Sequence, residues 1–300
     1  MGKPEIVILG KNGQVGHELV NALSDIATIH SFDIDVVDFT KEKTITATLK
    51  QIKPDIIINA VAYTAVDKAE HDKELAHQVN ARGPEVIAEF ARKYNTLFIH
   101  YSTDFVFDGN NDKPYLETDT PNPVSVYGST KLAGEELVLN SDCKSIVLRT
   151  SWVYGLRGAN FVLTMLRLAH ELEQLKVVDD QLGSPVWCGH IAKTTAKIIE
   201  NLLKDSPDLS EIDQNKLGLF HITASTYTSW YDFAKAILEH DPDKAKQTCH
   251  TLLPIPSSEY PTPAERPKWS VLDNSKLQKT FGLEIPSWED QFKQMWNEAD

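Results

Sequence analysis

The apolar run Glu5-Ile6-Val7-Ile8-Leu9 stops at glycines spaced every third position, in Gly10-Lys11-Asn12-Gly13-Gln14-Val15-Gly16. A helical pattern follows at once, with Val15, Leu19, Val20 and Leu23 on one face. Strand, glycine turn and helix in that order form a dinucleotide fingerprint. Without side chains the backbone can approach a pyrophosphate, which then sits at the helix N-terminus. The spacing G-x-x-G-x-x-G differs from the G-x-G-x-x-G of many such sites. The alternative is a strand-to-helix turn that holds no ligand.

The same alternation continues. Strands are expected over 29–33, 55–60, 97–101 and 145–149, and helices over 43–51 and 80–94, with a further helix opening at Tyr127. Short continuous apolar strands between helices imply a parallel sheet covered on both faces. The expected fold is therefore α/β, a Rossmann-type doubly wound parallel sheet with helices on both faces and a smaller C-terminal substrate-binding lobe. Residues 1–155 are assigned to an NAD(P)-binding part and 156–300 mainly to the substrate-binding lobe, with some segments free to return to the first sheet. In that second part the pattern gives helices over 161–172, 191–204 and 230–239 and strands over 175–178 and 217–223. The proline-dense stretch 254–267 reads as irregular.

Bulk properties narrow the function. The net charge of −13 argues against nucleic acid or an anionic membrane surface as the main partner. No apolar run reaches the length of a membrane span, and no signal-peptide core precedes the first strand. Cys143, Cys188 and Cys249 are few and widely spaced, which fits a reducing compartment without a disulfide framework or a zinc site, and no metal ligands are assigned. Cytoplasm is the expected location.

Three further clusters carry chemistry. Asp33 ends the second strand roughly 20 residues past the glycines, where a carboxylate binds adenosine ribose hydroxyls and repels a 2′-phosphate. Asp38 and Phe39 are placed to frame the adenine, and Ala62, Tyr63 and Thr64 follow the third strand at the sheet edge. Ser102 and Thr103 end the fourth strand. Alternation forbids both from facing one way, and the sequence leaves open which faces the site. A hydroxyl there can donate to a carbonyl oxygen as it gains charge, with Asp104 as a partner for a substrate hydroxyl or a turn residue. Tyr127 and Lys131 stand four apart, on one helix face. The lysine charge is expected to favour the phenolate and lower the tyrosine pKa from about 10. The same spacing recurs in Tyr231 and Lys235, read as an ordinary amphipathic helix because no hydroxyl-bearing strand end precedes it.

Together these residues resemble the extended short-chain dehydrogenase/reductase family, and the likeness spans nearly the whole chain. It runs through Gly10–Gly16, Asn59–Asp67, His100–Gly109, Val126–Leu132, Leu148–Gly155, Asn160–Leu168, Asp180–Pro185 and Tyr260–Pro267. It is nearest to members that reduce a nucleotide-4-keto-6-deoxysugar, with dTDP-4-dehydro-L-rhamnose as the implied substrate and NADPH or NADH as cofactor. The resemblance implies that Tyr127 gives the proton to the C4 keto oxygen, that Lys131 holds the nicotinamide ribose, and that Thr103 and Asp104 bond the sugar. It implies that Gly13, Gln14, Val15, Asp33, Asp38, Phe39, Ala62, Tyr63 and Thr64 line the dinucleotide and that Trp152 contacts the substrate. Arg266 is a candidate for the diphosphate from its charge and motif. Phe105 stands where members often carry Tyr, and Val186–His190 lacks an acidic residue that some members place near a metal-linked dimer contact. A homodimer is compatible with the resemblance. Two other readings share these motifs: a reductase acting on a differently configured 4-keto sugar, and a non-catalytic regulatory subunit resembling the β subunit of methionine adenosyltransferase.

Overall fold

The computed structural model describes residues 2–298. Its centre is a six-stranded sheet of β1 (Glu5–Leu9), β2 (Thr28–Phe32), β3 (Ile56–Asn59), β4 (Leu97–Thr103), β5 (Ser145–Thr150) and a sixth strand, Gly218–His221. All pairings are parallel, and the order across the sheet is β2-β1-β3-β4-β5-sixth. The chain reverses its direction of travel between β2 and β3, so the crevice beyond the carboxyl ends of β1 and β3 is the topological switch point, where such sheets bind ligands.

Both faces of the sheet are buried, which explains the unbroken apolar strands. Ile6, Ile8, Ile56, Ile58, Ile99 and Ile146 pack with the Gln14–Leu23 and Cys188–Asp205 helices. Val7, Leu9, Ile57, Phe98 and Val147 face the opposite layer, with Ile45, Leu49, Val86, Ile87 and Val138 from the helices Glu42–Ile52, Gly83–Tyr94 and Val126–Leu139. Several segments of the second half thus join the first layer system, among them the Cys188–Asp205 helix, the sixth strand and the Ser275–Phe281 helix. A second core gathers around Tyr154, Met165, Phe233, Trp288 and Phe292.

Two elements differ from expectation. The helix expected from residue 80 begins at Lys73 and runs through a π-turn, Gln78–Arg82, into Gly83–Tyr94. Pro84 is the cause. It has no N–H for the Asn80 carbonyl, and its ring would strike that carbonyl in a regular α-helix, so the turn widens. Pro254 likewise lies inside a strand, Thr251–Ile255, paired in parallel with Gln174–Val178. A two-stranded sheet has only edge strands, where a missing donor is tolerated.

Candidate active site

The parallel register brings the coenzyme elements together. Leu9 lies opposite both Phe32 and Asn59, so Gly10, Asp33 and Ala60 leave the sheet side by side. Gly10 adopts φ +90°, and its N–H donates to the Phe32 carbonyl at 2.8 Å. At Gly16 a Cβ would stand 2.0 Å from the Gly10 carbonyl oxygen, so the helix can approach the turn only without one. Gly13 caps that helix without a side-chain hydrogen bond. The helix's first N–H groups and positive dipole end therefore remain available to an anion. These features fit a dinucleotide phosphate.

Asp33 sits against this turn. One carboxylate oxygen accepts the Asn12 N–H and the other the Ile34 N–H, each at 2.9 Å. Asp38 and Phe39, expected to frame the adenine, both have partners within the protein. Asp38 is committed to its own turn, bonded to Lys41 and Thr40, which hold its carboxyl at about 2. Phe39 is 3% exposed, its ring packed on the Gly83 backbone. The apolar residues that the loop does present are Ile34 and Val36, at 73% and 47% exposure. Their signal was readable: apolar side chains alternating with Asp33 and Asp35 in a turn.

Ala62, Tyr63 and Thr64 follow β3. The Tyr63 hydroxyl donates to Asp72 at 2.7 Å, which raises the phenol pKa. Asn80, released by the π-turn, clamps the loop. Its Oδ1 accepts the Tyr63 N–H at 2.7 Å, and its Nδ2 donates to the Tyr63 carbonyl at 3.2 Å and to Thr130 Oγ1 at 3.1 Å. The coenzyme-side loop is thereby tied to the helix bearing Tyr127, a role the sequence reading did not assign. Gln14 reaches the other side, accepting from Asn160 Nδ2 at 2.9 Å, and Val15 packs between the two cores.

Ser125 caps the Val126–Leu139 helix, accepting the Gly128 N–H at 3.1 Å, and so sets Tyr127 in its first turn. Gly128 lets this helix close on the end of β4, since a Cβ there would stand 2.2 Å from the Phe105 carbonyl oxygen. The structure resolves the hydroxyl pair. Ser102 points to Glu135, whereas Thr103 lies beside Tyr127, accepts the Phe105 N–H at 3.2 Å and donates to Asp104 Oδ1 at 3.0 Å. Tyr127 also meets Phe105 edge-on at 5.6 Å.

The expected lysine effect on Tyr127 is absent. Burial pushes the phenol up to about 12, with the Thr103 hydroxyl opposing and the Asp104 charge adding to the rise. Lys131 instead donates from its buried Nζ to the Tyr101 carbonyl at 2.6 Å, and burial brings its ammonium down to about 8 while Glu135 opposes. Tyr127 is a firmly protonated donor that needs a strongly basic acceptor. The second Tyr/Lys pair shows the contrast, for Lys235 is exposed.

Asp104 is 1% exposed and its Oδ2 has no partner among the described residues. Burial raises its carboxyl to about 6 against the pull of Ser270 and Thr103. A folded-state pKa above the ordinary value favours the protonated native form. That stability is complete below about pH 4 and is lost as pH rises through about 6. The shift corresponds to at most about 3 kcal/mol. Asp104→Asn should therefore remove part of the loss of melting temperature between pH 4 and 6. Parallel pH profiles for the two proteins would contradict this placement.

Next to Phe105 opens a cavity of about 370 Å³, lined among others by Trp152, Met165, Trp230, Tyr260 and Arg266. Trp152 holds a left-handed φ of +43°, rare for a bulky residue. Its indole is stacked on Trp230 with centroids 3.4 Å apart, and Gly183 leaves room for it. Arg266 lines the cavity while its Nη2 donates to Asp67 at 2.8 Å. Among the described residues no three His, Cys, Asp or Glu side chains gather as a metal site, and no helix is long and apolar enough to cross a membrane.

Comparison with known proteins agrees with this geometry. Residues 4–300 match the family model described as "RmlD substrate binding domain". The chain is 44% identical over 299 residues to the dTDP-4-dehydrorhamnose reductase of Escherichia coli K12, covering 98% of this chain and 97% of that one. Among solved structures, the dTDP-4-dehydrorhamnose reductase of Bacillus anthracis in complex with NADP superposes with a TM-score of 0.87 at 34% identity, covering 99% of this chain and all of that one. The Clostridium acetobutylicum ortholog gives a TM-score of 0.88 at 35% identity, over 98% and 99% of the two chains.

Proposed function

Because the chain belongs to the RmlD substrate binding domain family, we propose that it reduces the C4 keto group of dTDP-4-dehydro-L-rhamnose to dTDP-L-rhamnose, using NADPH or NADH. The resemblance to extended short-chain dehydrogenases/reductases is borne out by the family match over 4–300. One observation carries the catalytic reading: Thr103, Asp104 and Tyr127 meet where β4 joins the Val126–Leu139 helix, with Lys131 one turn along that helix on the Tyr101 carbonyl and Phe105 on the cavity wall.

In this reading residues 1–155 hold the coenzyme and the lobe of 156–300 supplies most of the sugar-nucleotide cavity. Gly10, Gly13, Gln14, Val15 and Gly16 receive the pyrophosphate, Asp33 the adenosine ribose, and Ile34 and Val36 offer the base an apolar surface. The backbone of Ala62, Tyr63 and Thr64 forms the adjoining wall. When bound, the reduced nicotinamide supplies the hydride that enters the sugar at C4. Thr103 donates a hydrogen bond to the keto oxygen as negative charge grows there. Tyr127 gives its phenolic proton to that oxygen, an alkoxide basic enough to take it from a group near 12. Lys131 fixes the ribose. Asp104 orients a sugar hydroxyl, and Trp152 forms the wall of the sugar pocket.

The test is oxidation of NADPH and NADH with enzymatically generated dTDP-4-dehydro-L-rhamnose. Rapid oxidation is expected, and tight coenzyme binding without oxidation would overturn the assignment. Asp33→Ala should weaken NADH binding by about tenfold, the scale of one charge-assisted hydrogen bond, and NADPH binding less, because it also removes a repulsion from the 2′-phosphate. Fluorescence titration with each coenzyme measures both, and equal losses would show that Asp33 only braces the turn.

A further inference from the structure

Asp67 lies in the short Val66–Ala69 helix that directly follows the loop carrying Ala62, Tyr63 and Thr64. Its carboxylate makes two bonds to a segment far along the chain. Oδ2 accepts from Arg266 Nη2 at 2.8 Å and Oδ1 accepts the Ala264 N–H at 3.2 Å. That segment is a strap over 256–267 with prolines at 256, 261, 263 and 267. Tyr260, Thr262, Arg266 and Pro267 from it line the cavity beside Phe105 and Trp152.

The strap is anchored at both ends. Ser257 bonds Asp180 through its N–H at 2.8 Å and its hydroxyl at 2.9 Å, and the Lys268 carbonyl accepts the Leu182 N–H at 2.8 Å. Between these anchors, among the described residues, every hydrogen bond from the strap to the rest of the protein ends on Asp67. Prolines remove donors that could have tied it elsewhere. One carboxylate therefore supplies the strap's polar tie between its two ends, and it belongs to the element that continues the coenzyme-side loop.

Arg266 carries five donors in a planar fork. Asp67 takes one of them, and Nη1 reaches only the Ala264 carbonyl at 3.4 Å. The remaining donors suit an anionic oxygen, and Arg266 lines the cavity.

We propose that Asp67 is a positioning residue that couples the two ligand sites: it holds Arg266 and the strap over the diphosphate of the sugar nucleotide in register with the loop that lines the coenzyme. This rests on the function proposed above, because that reading supplies the diphosphate and places the coenzyme against residues 62–64. A loop fixed by coenzyme fixes Asp67, and Asp67 fixes the strap. Each ligand should then bind more tightly when the other is present, by the same factor in both directions.

Calorimetric titration of dTDP into the free and the NADPH-saturated enzyme, and of NADPH with and without dTDP, measures that factor. For the unaltered protein it should be about tenfold, within the usual range of such couplings. Asp67→Asn keeps the shape of the side chain but removes its charge. It should bring the factor to about one. NADPH affinity without dTDP should stay unchanged, and KM for the sugar nucleotide should rise more than kcat falls. Arg266→Met should also abolish the coupling, and the double variant should lose nothing further. Asp67→Asn that keeps the full factor, or an unaltered enzyme that binds dTDP equally with and without NADPH, would overturn the coupling alone. Failure of the unaltered enzyme to bind dTDP at all would overturn the proposed function and this inference with it. If Asp67→Asn does not fold, the Arg266→Met factor decides, and a factor still near tenfold contradicts the proposal.

Discussion

Tyr127→Phe is expected to lower kcat by about 10²-fold or more, the usual share of general acid catalysis, while coenzyme affinity stays nearly unchanged. The variant keeps the ring that meets Phe105 edge-on and loses only the hydroxyl beside Thr103. Neither contact shapes the glycine turn, so binding and chemistry should separate. Burial places the phenol at about 12, protonated throughout the neutral range. The proton it gives must therefore go to a stronger base, and the alkoxide formed at C4 is one. Loss of the hydroxyl leaves Thr103 as a hydrogen-bond donor without a proton to transfer. Steady-state kinetics with coenzyme titration check this, and turnover equal to that of the unaltered protein would remove Tyr127 from the mechanism.

Arg149→Met is expected to destabilise the fold by about 3–5 kcal/mol, the cost of leaving one member of a buried ion pair alone. Arg149 and Glu135 are 2% and 1% exposed. Arg149 Nη2 bonds Glu135 Oε2 at 2.7 Å, its Nε reaches Oε1 and Oε2 at 3.0 and 3.1 Å, and its guanidinium lies 5.0 Å from the centre of the Phe107 ring. Ser102 donates to the same carboxylate. Without the arginine that hydroxyl would be, among the described residues, the one side-chain donor left to a buried charge. The melting temperature should fall by roughly 10 °C for a chain of this size. Glu135→Leu combined with Arg149→Met should recover most of that loss, since apolar replacement of a whole buried pair is often neutral. Scanning calorimetry distinguishes the cases. A double variant as unstable as the single one would show that the pair supplies packing and not charge balance. The pair also bears on the site, because Glu135 lies one helical turn beyond Lys131 and its charge opposes the fall in the lysine pKa.

What could be read from the sequence was what neighbouring residues decide. Strand, glycine turn and helix over 5–23 follow from local spacing, as does the placing of Tyr127 and Lys131 on one helix. What could not be read depends on contacts between distant segments. The direction of the Lys131 ammonium is set by the Tyr101 carbonyl, on a strand 30 residues earlier. The burial of the Phe39 ring depends on Gly83, a distant residue whose missing side chain makes the space. Asn80 was placed at a helix start, yet Pro84 bends the helix around it and turns its amide to the Tyr63 loop. Arg266 stood out by charge, but its partner Asp67 lies 199 residues before it. Alternation along β4 said that Ser102 and Thr103 diverge, and only the burial of Glu135 and Arg149 behind Ser102 decides that Thr103 faces the site.

The most direct test is to run the reaction on dTDP-4-dehydro-L-rhamnose with coenzyme deuterated at the transferable nicotinamide position and to locate the label by NMR. One deuterium at C4 of dTDP-L-rhamnose, formed in step with coenzyme oxidation, is the expected result. A reduced sugar with the label elsewhere, or coenzyme bound without any labelled product, would contradict reduction of the C4 keto group at this site.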